Sequence, residues 1–361
     1  MPRSWTAGGA DRVVPYAPGV DVRTVRAGVL LPPSDVLGGA ASAVRAVLEA
    51  HAASVNRGGG VHGRTLDLAF DDRGGSPPER AASVRALLAR ERLFVLGASY
   101  VDGADSEIVG ISDEMQVPLI ATSGSPAVSA ARFARAILAG SAEVARSLVA
   151  FAARSLGAER RLAVVHDGKN AAARDAALNE ARRAAFAVTD EAEVGKLDAL
   201  PARRCDTVVF LAAGNALDAF AAWARAHDWL PDLLLPASSA GPDSLQSMPM
   251  KTWIALPTGP FDRTPQGLSD YRALNAFAPL QPDFPTLQFA ALAASELLVE
   301  ALRRAGRELT RDGFLDALDG IRNFRTGLVP ALSFSPARHI GSTGAWIAPV
   351  KGGGEIVWVQ P

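Results

Sequence analysis

The sequence predicts an α/β protein of two doubly wound lobes, each built on a mostly parallel sheet. Short apolar runs alternate with longer amphipathic stretches through most of the chain, and this alternation occurs in two successive series. The length of 361 residues, about twice that of a usual domain, fits two linked lobes. With 48% hydrophobic and 21% charged residues, the composition is that of an ordinary globular protein.

The first series starts near Val25, where an apolar run predicts a strand that Pro32 and Pro33 end. A helix is predicted from 40 to 56, because glycines at 58–60 stop the amphipathic pattern. The same alternation continues along the chain. It predicts, in order, a strand at 65–70, a helix at 78–90, a strand at 93–96, a helix at 104–115 and a strand at 118–121.

The second series follows residue 139 and has the same construction. It predicts a helix at 142–156, a strand at 161–166, a helix at 171–186, a strand at 207–211, a helix at 216–227 and a strand at 233–236. Later residues predict helices at 286–305 and 311–318, and short strands at 332–334 and 356–359.

These two series predict a division of the chain into lobes joined by three crossings. Crossings are expected near 138–141, 256–259 and 327–330, because each is marked by glycine or proline that can absorb a change of backbone angle. The first lobe then holds 25–139 and 257–328, and the second holds 140–256 and 329–361. Residues 1–24, rich in glycine, proline and alanine, are expected to be an arm or linker.

Charge and cysteine content exclude several classes of site. The 37 basic and 38 acidic side chains nearly cancel, so no electrostatic footprint for nucleic acid or an anionic membrane is visible. No apolar run is long enough to predict membrane insertion. The single cysteine, Cys205, excludes an internal disulfide and a cysteine-based zinc cluster, and no other metal-ligand or cofactor motif is present.

Three segments carry a resemblance to a known family. They are the glycine-rich turn at 56–64, the strand 117–123 that ends in Thr122-Ser123, and the strand 163–167 that ends in His166-Asp167. Their order and spacing resemble the leucine/isoleucine/valine-binding family of type I periplasmic binding proteins, over roughly 26–359. The resemblance implies the type I periplasmic-binding-protein fold, with two lobes joined by a three-segment hinge.

The resemblance also implies a role. Such proteins bind a small solute in the cleft between the lobes and deliver it to an ABC permease in the membrane. A periplasmic location is then expected, with a signal peptide already removed. The alternative is a ligand-sensing regulator or receptor domain of the same fold, which would be cytoplasmic if it is a regulator.

Two loops of the first lobe are the expected ligand contacts, since loops after parallel strands face the cleft in this fold. In the first loop Ser99, Tyr100 and Asp102 are alternatives for the family's hydroxyl contact, because this loop is one residue longer; Asp102 is also placed to cap the next helix. In the second loop, Ser123, Gly124 and Ser125 resemble the family's carboxylate anchor. A plain turn is the alternative for that loop.

In the second lobe the chain departs from the amino-acid-binding pattern. Candidates near the cleft are His166, Asn170, Asn215 and Ser238. Small residues at 171, 214 and 238 stand where the family places two aromatic residues and an acid. The ligand is therefore expected to be a carboxylate with an aromatic or branched neutral body rather than an α-amino acid, unless Asp102, Asp243 or Glu296 supplies a countercharge.

The sequence carries little evidence for an enzyme. No Gly-x-Ser-x-Gly elbow, dinucleotide fingerprint or P-loop occurs, and the five histidines are scattered. His166 is the only histidine expected near the cleft, either as a satisfied residue at a strand end or as a ligand contact. The sequence therefore predicts a binding protein without a cofactor.

Overall fold

The computed structural model describes residues 17–157, 159–200, 205–351 and 355–361. The strands are β1 (Thr24–Leu30), β2 (Thr65–Asp71), β3 (Val95–Ser99), β4 (Leu119–Ser123), β5 (Ala134–Leu138), β6 (Arg161–His166), β7 (Val188–Glu193), β8 (Thr207–Leu211), β9 (Asp232–Pro236), β10 (Thr252–Leu256), β11 (Ala345–Pro349) and β12 (Val357–Val359). The helices are α1 (Ser34–Leu37), α2 (Ala40–Arg57), α3 (Pro77–Glu91), α4 (Asp105–Glu114), α5 (Pro126–Ala130), α6 (Ser141–Phe151), α7 (Ala171–Arg183), α8 (Ala216–Ala226), α9 (Pro242–Ser247), α10 (Pro265–Ala273), α11 (Pro285–Ala305) and α12 (Arg311–Asp319).

The first lobe is built on a five-stranded parallel sheet in the order β2-β1-β3-β4-β5. Helices α2 and α11 contribute to the apolar core on one face, and α3 and α4 to that on the other. Every residue of β3 is buried, as expected for a central strand covered on both faces. The carboxyl ends of β1, β3 and β4 therefore emerge together at one edge, where parallel-sheet proteins bind ligands.

The second lobe is built on a seven-stranded sheet in the order β12-β11-β10-β9-β8-β6-β7. The strands from β10 to β7 are parallel, and β11 and β12 are added antiparallel at one end. Helices α6 and α7 pack on one face and α8 on the other. The predicted fold of two doubly wound lobes is confirmed.

The chain passes between the sheets at three places. It leaves β5 for α6 through residues 139–140, and it returns from β10 to α10 through residues 257–264. The third crossing differs from the one expected at 327–330. Leu328 and Val329 pack in the first-lobe core, and Ile340 forms a bridge with Ala136 of β5. The crossing to β11 lies after Ser342, whose N–H still donates to Ile137.

Most predicted elements agree with the structure within a few residues, and the differences have physical reasons. The pattern did not predict four strands, β5, β7, β10 and β11, or four helices, α1, α5, α9 and α10. Strand β7 carries three acidic residues at the sheet's end, so it lacks the apolar run that marks a buried strand. The strand predicted at 332–334 is a single bridge between Leu332 and Phe324.

The predicted N-terminal arm, 1–24, is only partly described. Residues 1–16 lie outside the described residues. From 17 onward the chain already belongs to the first lobe, because the N–H of Arg26 donates to the carbonyl of Gly19 and Val20 forms a bridge with Val25. The folded body therefore includes residues before the expected start at Val25.

Candidate ligand-binding site

A cavity of about 160 Å³ opens at the carboxyl ends of β1, β3 and β4. Its wall is mostly apolar, with side chains from β1, α2, β5 and α11: Leu30, Val44, Leu138, Leu287, Ala290 and Ala291. Its polar groups come from the loop after β3, from the end of β4, from the second crossing and from the start of α11: Tyr100, Asp102, Thr122, Ser123, Thr258 and Thr286. A cavity of about 150 Å³ with apolar walls holds a benzene-sized group.

Asp102 and Ser123 form the polar end of the cavity. The Ser123 hydroxyl donates a hydrogen bond to the Asp102 carboxylate, which joins the loop after β3 to the end of β4. Asp102 is exposed at the cleft. Nearby protein atoms still desolvate its carboxyl group in part, which raises the pKa of Asp102; the hydrogen bond from Ser123 acts in the opposite direction, and the charge of Asp105 adds a smaller increase.

Tyr100 lies beside this pair in the cavity lining. Desolvation raises the pKa of its phenol to about 12, and the nearby charge of Asp102 adds to the effect. The hydroxyl is therefore protonated at neutral pH and able to donate a hydrogen bond.

The alternative in which Asp102 caps the following helix is wrong. Helix α4 begins at Asp105 with Ala104 at its N-cap, and no side chain caps it there. The Asp102 carboxylate accepts from Ser123 instead.

Arg80 holds the loop of Tyr100 and Asp102 from behind. Its side chain extends from α3, where it is only 6% exposed, and donates to the Asp102 carbonyl at 2.6 Å and the Tyr100 carbonyl at 3.0 Å. Hydrogen bonds from a charged donor are stronger than neutral ones. Arg80 therefore fixes the backbone that presents both cavity residues, and sequence reasoning missed it because nothing local in α3 marks it.

A β-bulge shapes the same loop. Between the pairs Leu96–Leu119 and Ser99–Ala121, β3 has one residue more than β4. The extra residue is accommodated at Ala98, whose φ of 49° lies in the left-handed region that alanine rarely adopts. The bulge lies just before the loop, so it decides which side chains after β3 face the cleft.

Two first-lobe candidates, Ser99 and Ser125, have their polar groups engaged within the protein. Ser99 is fully buried, and its hydroxyl accepts from Leu30 and donates to the Gly97 carbonyl. Ser125 caps α5 by accepting the N–H of Val128 at 3.3 Å. Neither residue belongs to the lining of the cavity.

Gly124 has a packing role between the cleft loop and the first crossing. Its N–H donates to the Leu138 carbonyl at 2.8 Å. A Cβ added at Gly140 would lie 1.7 Å from the Gly124 carbonyl oxygen, so the two backbones approach too closely for a side chain at 140. Of the second loop, the structure therefore brings Ser123 rather than Gly124 or Ser125 to the cavity.

Two second-lobe candidates are also bonded locally. His166 is buried, its Nδ1 accepts the N–H of Gly168, and its Nε2 lies 3.0 Å from a Glu191 carboxylate oxygen, which assigns the proton to Nε2. This matches the interpretation of a satisfied histidine at a strand end. Asn170 caps α7 by accepting the N–H of Ala173 at 3.0 Å.

The other two second-lobe candidates, Asn215 and Ser238, are exposed in the loops after β8 and β9. The described residues that line the cavity include none of the four second-lobe candidates, nor Asp243 or Glu296. Glu296 lies on α11, and burial raises the pKa of its carboxyl to about 7.

The second crossing forms an ordered edge of the cavity. Asp262 accepts hydrogen bonds from the Thr258 hydroxyl at 3.0 Å and the Gly259 N–H at 2.8 Å, and Trp346 of β11 donates its indole N–H to the same carboxylate at 3.0 Å. Burial raises the pKa of Asp262, whereas these hydrogen bonds act to lower it. Thr258 thus faces the cavity from a segment tied to both lobes.

The sequence matches the periplasmic binding protein family over residues 24–355. The chain belongs to this family. The resemblance noted in the sequence is thereby confirmed.

Several solved structures share the fold of this chain. A leucine-binding protein LivK from Thermotoga maritima is 15% identical, with a TM-score of 0.71, covering 93% of this chain and 99% of that one. A fatty acid ABC transporter substrate-binding protein from Thermomonospora curvata is 18% identical, with a TM-score of 0.70, covering 96% and 93%. A branched-chain amino acid ABC transporter protein from Thermus thermophilus with bound valine is 18% identical, with a TM-score of 0.68, covering 93% and 94%. Comparison with curated protein sequences finds no match.

Two features are absent from the described residues. No helix there combines the length and apolar character needed to cross a membrane. No group of three or more His, Cys, Asp or Glu side chains in the same residues is placed to hold a metal ion.

Proposed function

We propose that this periplasmic binding protein is the substrate-binding component of an ABC importer and that it holds a small solute in the cleft without altering it chemically. One observation supports this most directly. The cavity lies where three parallel strands end, and one of its edges is the crossing at Pro257 and Thr258. A solute bound there contacts both the first lobe and a segment whose backbone changes when lobes close.

The ligand we propose is a small carboxylic acid with an aromatic or branched apolar body. The size and apolar wall of the cavity fit such a body. The small residues Ala171, Gly214 and Ser238 leave the second lobe without the aromatic and acidic side chains of the amino-acid-binding pattern. Proteins of the same fold include binders of leucine and valine and a fatty acid transport protein, so the fold accommodates apolar ligands of different lengths.

The proposed binding residues are the three candidates that line the cavity, Tyr100, Asp102 and Ser123. We add Thr258, which lies in the second crossing and lines the cavity. Arg80 is a positioning residue, because it holds the loop of Tyr100 and Asp102. The expected partner is an ABC permease, and the expected location is the periplasm. The proposed lobes are 17–139 with 257–342, and 140–256 with 343–361, which moves the third boundary of the sequence-based division.

A thermal-shift screen followed by calorimetry tests the function. The panel contains phenylacetate, benzoate and 3-methylbutanoate, with leucine and valine as amino acids of similar size. A ligand at a hundred times its Kd adds ~2.7 kcal/mol to the stability, so a specific ligand raises the Tm measurably. We expect at least one acid to raise the Tm and native mass spectrometry to recover it unchanged. A strong shift by leucine or valine with none by the acids would contradict the proposed ligand class.

A further inference from the structure

The polar end of the cavity holds an acidic group and no basic side chain. Asp102 is the only carboxylate among the described residues that line the cavity, and no lysine, arginine or histidine lines it. A carboxylate ligand entering this site therefore meets a carboxyl group of the protein, without a cation to compensate the two charges. The inference follows from this meeting of two carboxyl groups, and it rests on the proposed function, in which the ligand is an acid.

The charged groups around Asp102 leave this acidic character in place. Arg80 of α3 is the nearest cation identified there, but it donates to the carbonyls of Asp102 and Tyr100, behind the loop. Asp105, at the start of α4, is a further negative charge. The cavity lining from β1, α2, β5 and α11 is not titratable. Asp262 does not line the cavity; it accepts a hydrogen bond from Thr258, which does.

We infer that Asp102 and the ligand's carboxyl group share one proton, so that the cleft takes up a proton when it binds a carboxylate. Two carboxylates that meet in one site without a cation repel each other, which disfavours the state in which both are ionised. One proton from solvent joins the pair, and the protonated oxygen then donates a hydrogen bond to the ionised partner. No other reactant is needed. Asp102 thereby makes the binding of a carboxylate ligand depend on pH.

Two further observations agree with this role. Desolvation already raises the pKa of Asp102 before a ligand enters. The hydroxyl of Ser123 is held on the same carboxyl group, so one oxygen is oriented while the group still faces the cleft. Ser123 therefore positions the carboxyl group that accepts the proton.

The test measures proton uptake by calorimetry of the full chain with phenylacetate, benzoate and 3-methylbutanoate. Titrations at pH 6, 7 and 8, each in two buffers of different ionisation enthalpy, give Kd and the number of protons bound per ligand. We expect about one proton taken up and a Kd that rises by up to about tenfold per pH unit, as linkage requires. The amide of the variant D102N can donate a hydrogen bond without taking up a proton. This variant should therefore bind the acid with a Kd that is independent of pH, and it should take up no proton.

The variant D243N is the control, because it removes an exposed carboxylate of the second lobe that does not line the cavity; it should keep the wild-type pH dependence. Binding of an acid with no proton uptake and a constant Kd from pH 6 to 8 would overturn this inference and leave the proposed function standing. Failure of all three acids to bind at any pH would overturn it together with the proposed ligand class. If D102N does not fold, proton counting on the wild-type protein still decides the question.

Discussion

The hydroxyl of Ser123 donates a hydrogen bond to the carboxylate of Asp102, across the gap between the ends of β4 and β3. The two residues are 21 positions apart in sequence, and both line the same cavity. Their contact gives the cleft an acidic, oriented polar end. Ligand specificity in this protein is therefore expected to depend on how the two loops are held together.

The two serines of the second loop should differ in what they contribute. Ser123→Ala removes the hydrogen bond to Asp102, so we expect calorimetric affinity for the acid ligand to fall roughly tenfold. Ser125→Ala removes the cap of α5 and should instead lower the free energy of unfolding by about 1 kcal/mol, with Kd little changed. If Ser125→Ala weakened binding as much as Ser123→Ala, this assignment of roles would be wrong.

Arg80 should affect binding without contacting the ligand. Arg80→Met removes both hydrogen bonds to the loop carbonyls, so Tyr100 and Asp102 lose their fixed backbone, and we expect Kd to rise about tenfold or more. Arg85→Met on the same helix is the control, because Arg85 pairs with Glu114 at the exposed surface. Equal affinities of the two variants for phenylacetate would contradict the role given to Arg80.

A buried ion pair should stabilise the first lobe. Arg135 of β5 makes two hydrogen bonds of 2.7 Å with Asp319 of α12, and the two side chains are only 4% and 12% exposed. Arg135→Met leaves the Asp319 charge buried and should cost about 3–5 kcal/mol in urea unfolding. The neighbouring pair Arg132–Asp312 is 70% and 72% exposed, so Arg132→Met should cost less than about 1 kcal/mol. Similar losses of unfolding free energy in Arg135→Met and Arg132→Met would contradict the expected difference between the buried and the exposed pair.

Two buried groups should give opposite pH dependences of stability. Burial, with the charge of Asp270 adding, raises the pKa of Glu296 from 4.5 to about 7, so its contribution is complete below about pH 4.5 and is lost as the pH rises to about 7. Burial, with the charge of Arg303, lowers the pKa of His51 from 6.5 to about 4, so its contribution is present above pH 6.5 and is lost as the pH falls toward 4.

Glu296→Gln should remove the pH-dependent contribution of Glu296 to stability. Relative to the wild type, its free energy of unfolding should increase by about 1–3 kcal/mol between pH 4.5 and 7 and stay constant above pH 7. His51→Gln should show the opposite trend, with its difference from the wild type shrinking as the pH falls from 6.5 to 4. Urea titrations at five pH values measure both differences. A pH-independent difference for Glu296→Gln would show that the carboxyl titrates normally.

Part of this protein follows from local sequence pattern. Apolar runs such as Val208–Phe210 and amphipathic stretches such as α11 depend on neighbours within a few residues, so they predict elements and fold class well. The resemblance pointed to the loops after β3 and β4, and three of the residues chosen there, Tyr100, Asp102 and Ser123, line the cavity.

The rest depends on contacts between distant segments. The bulge at Ala98 decides which side chains after β3 face the cleft, Arg80 reaches the loop from the preceding helix, and Leu287 forms part of the wall although it lies far along the chain. The capping bonds of Ser125 and Asn170 likewise depend on where each helix begins. Such features arise from register and packing between elements, which no local pattern specifies, so only the tertiary structure could assign them.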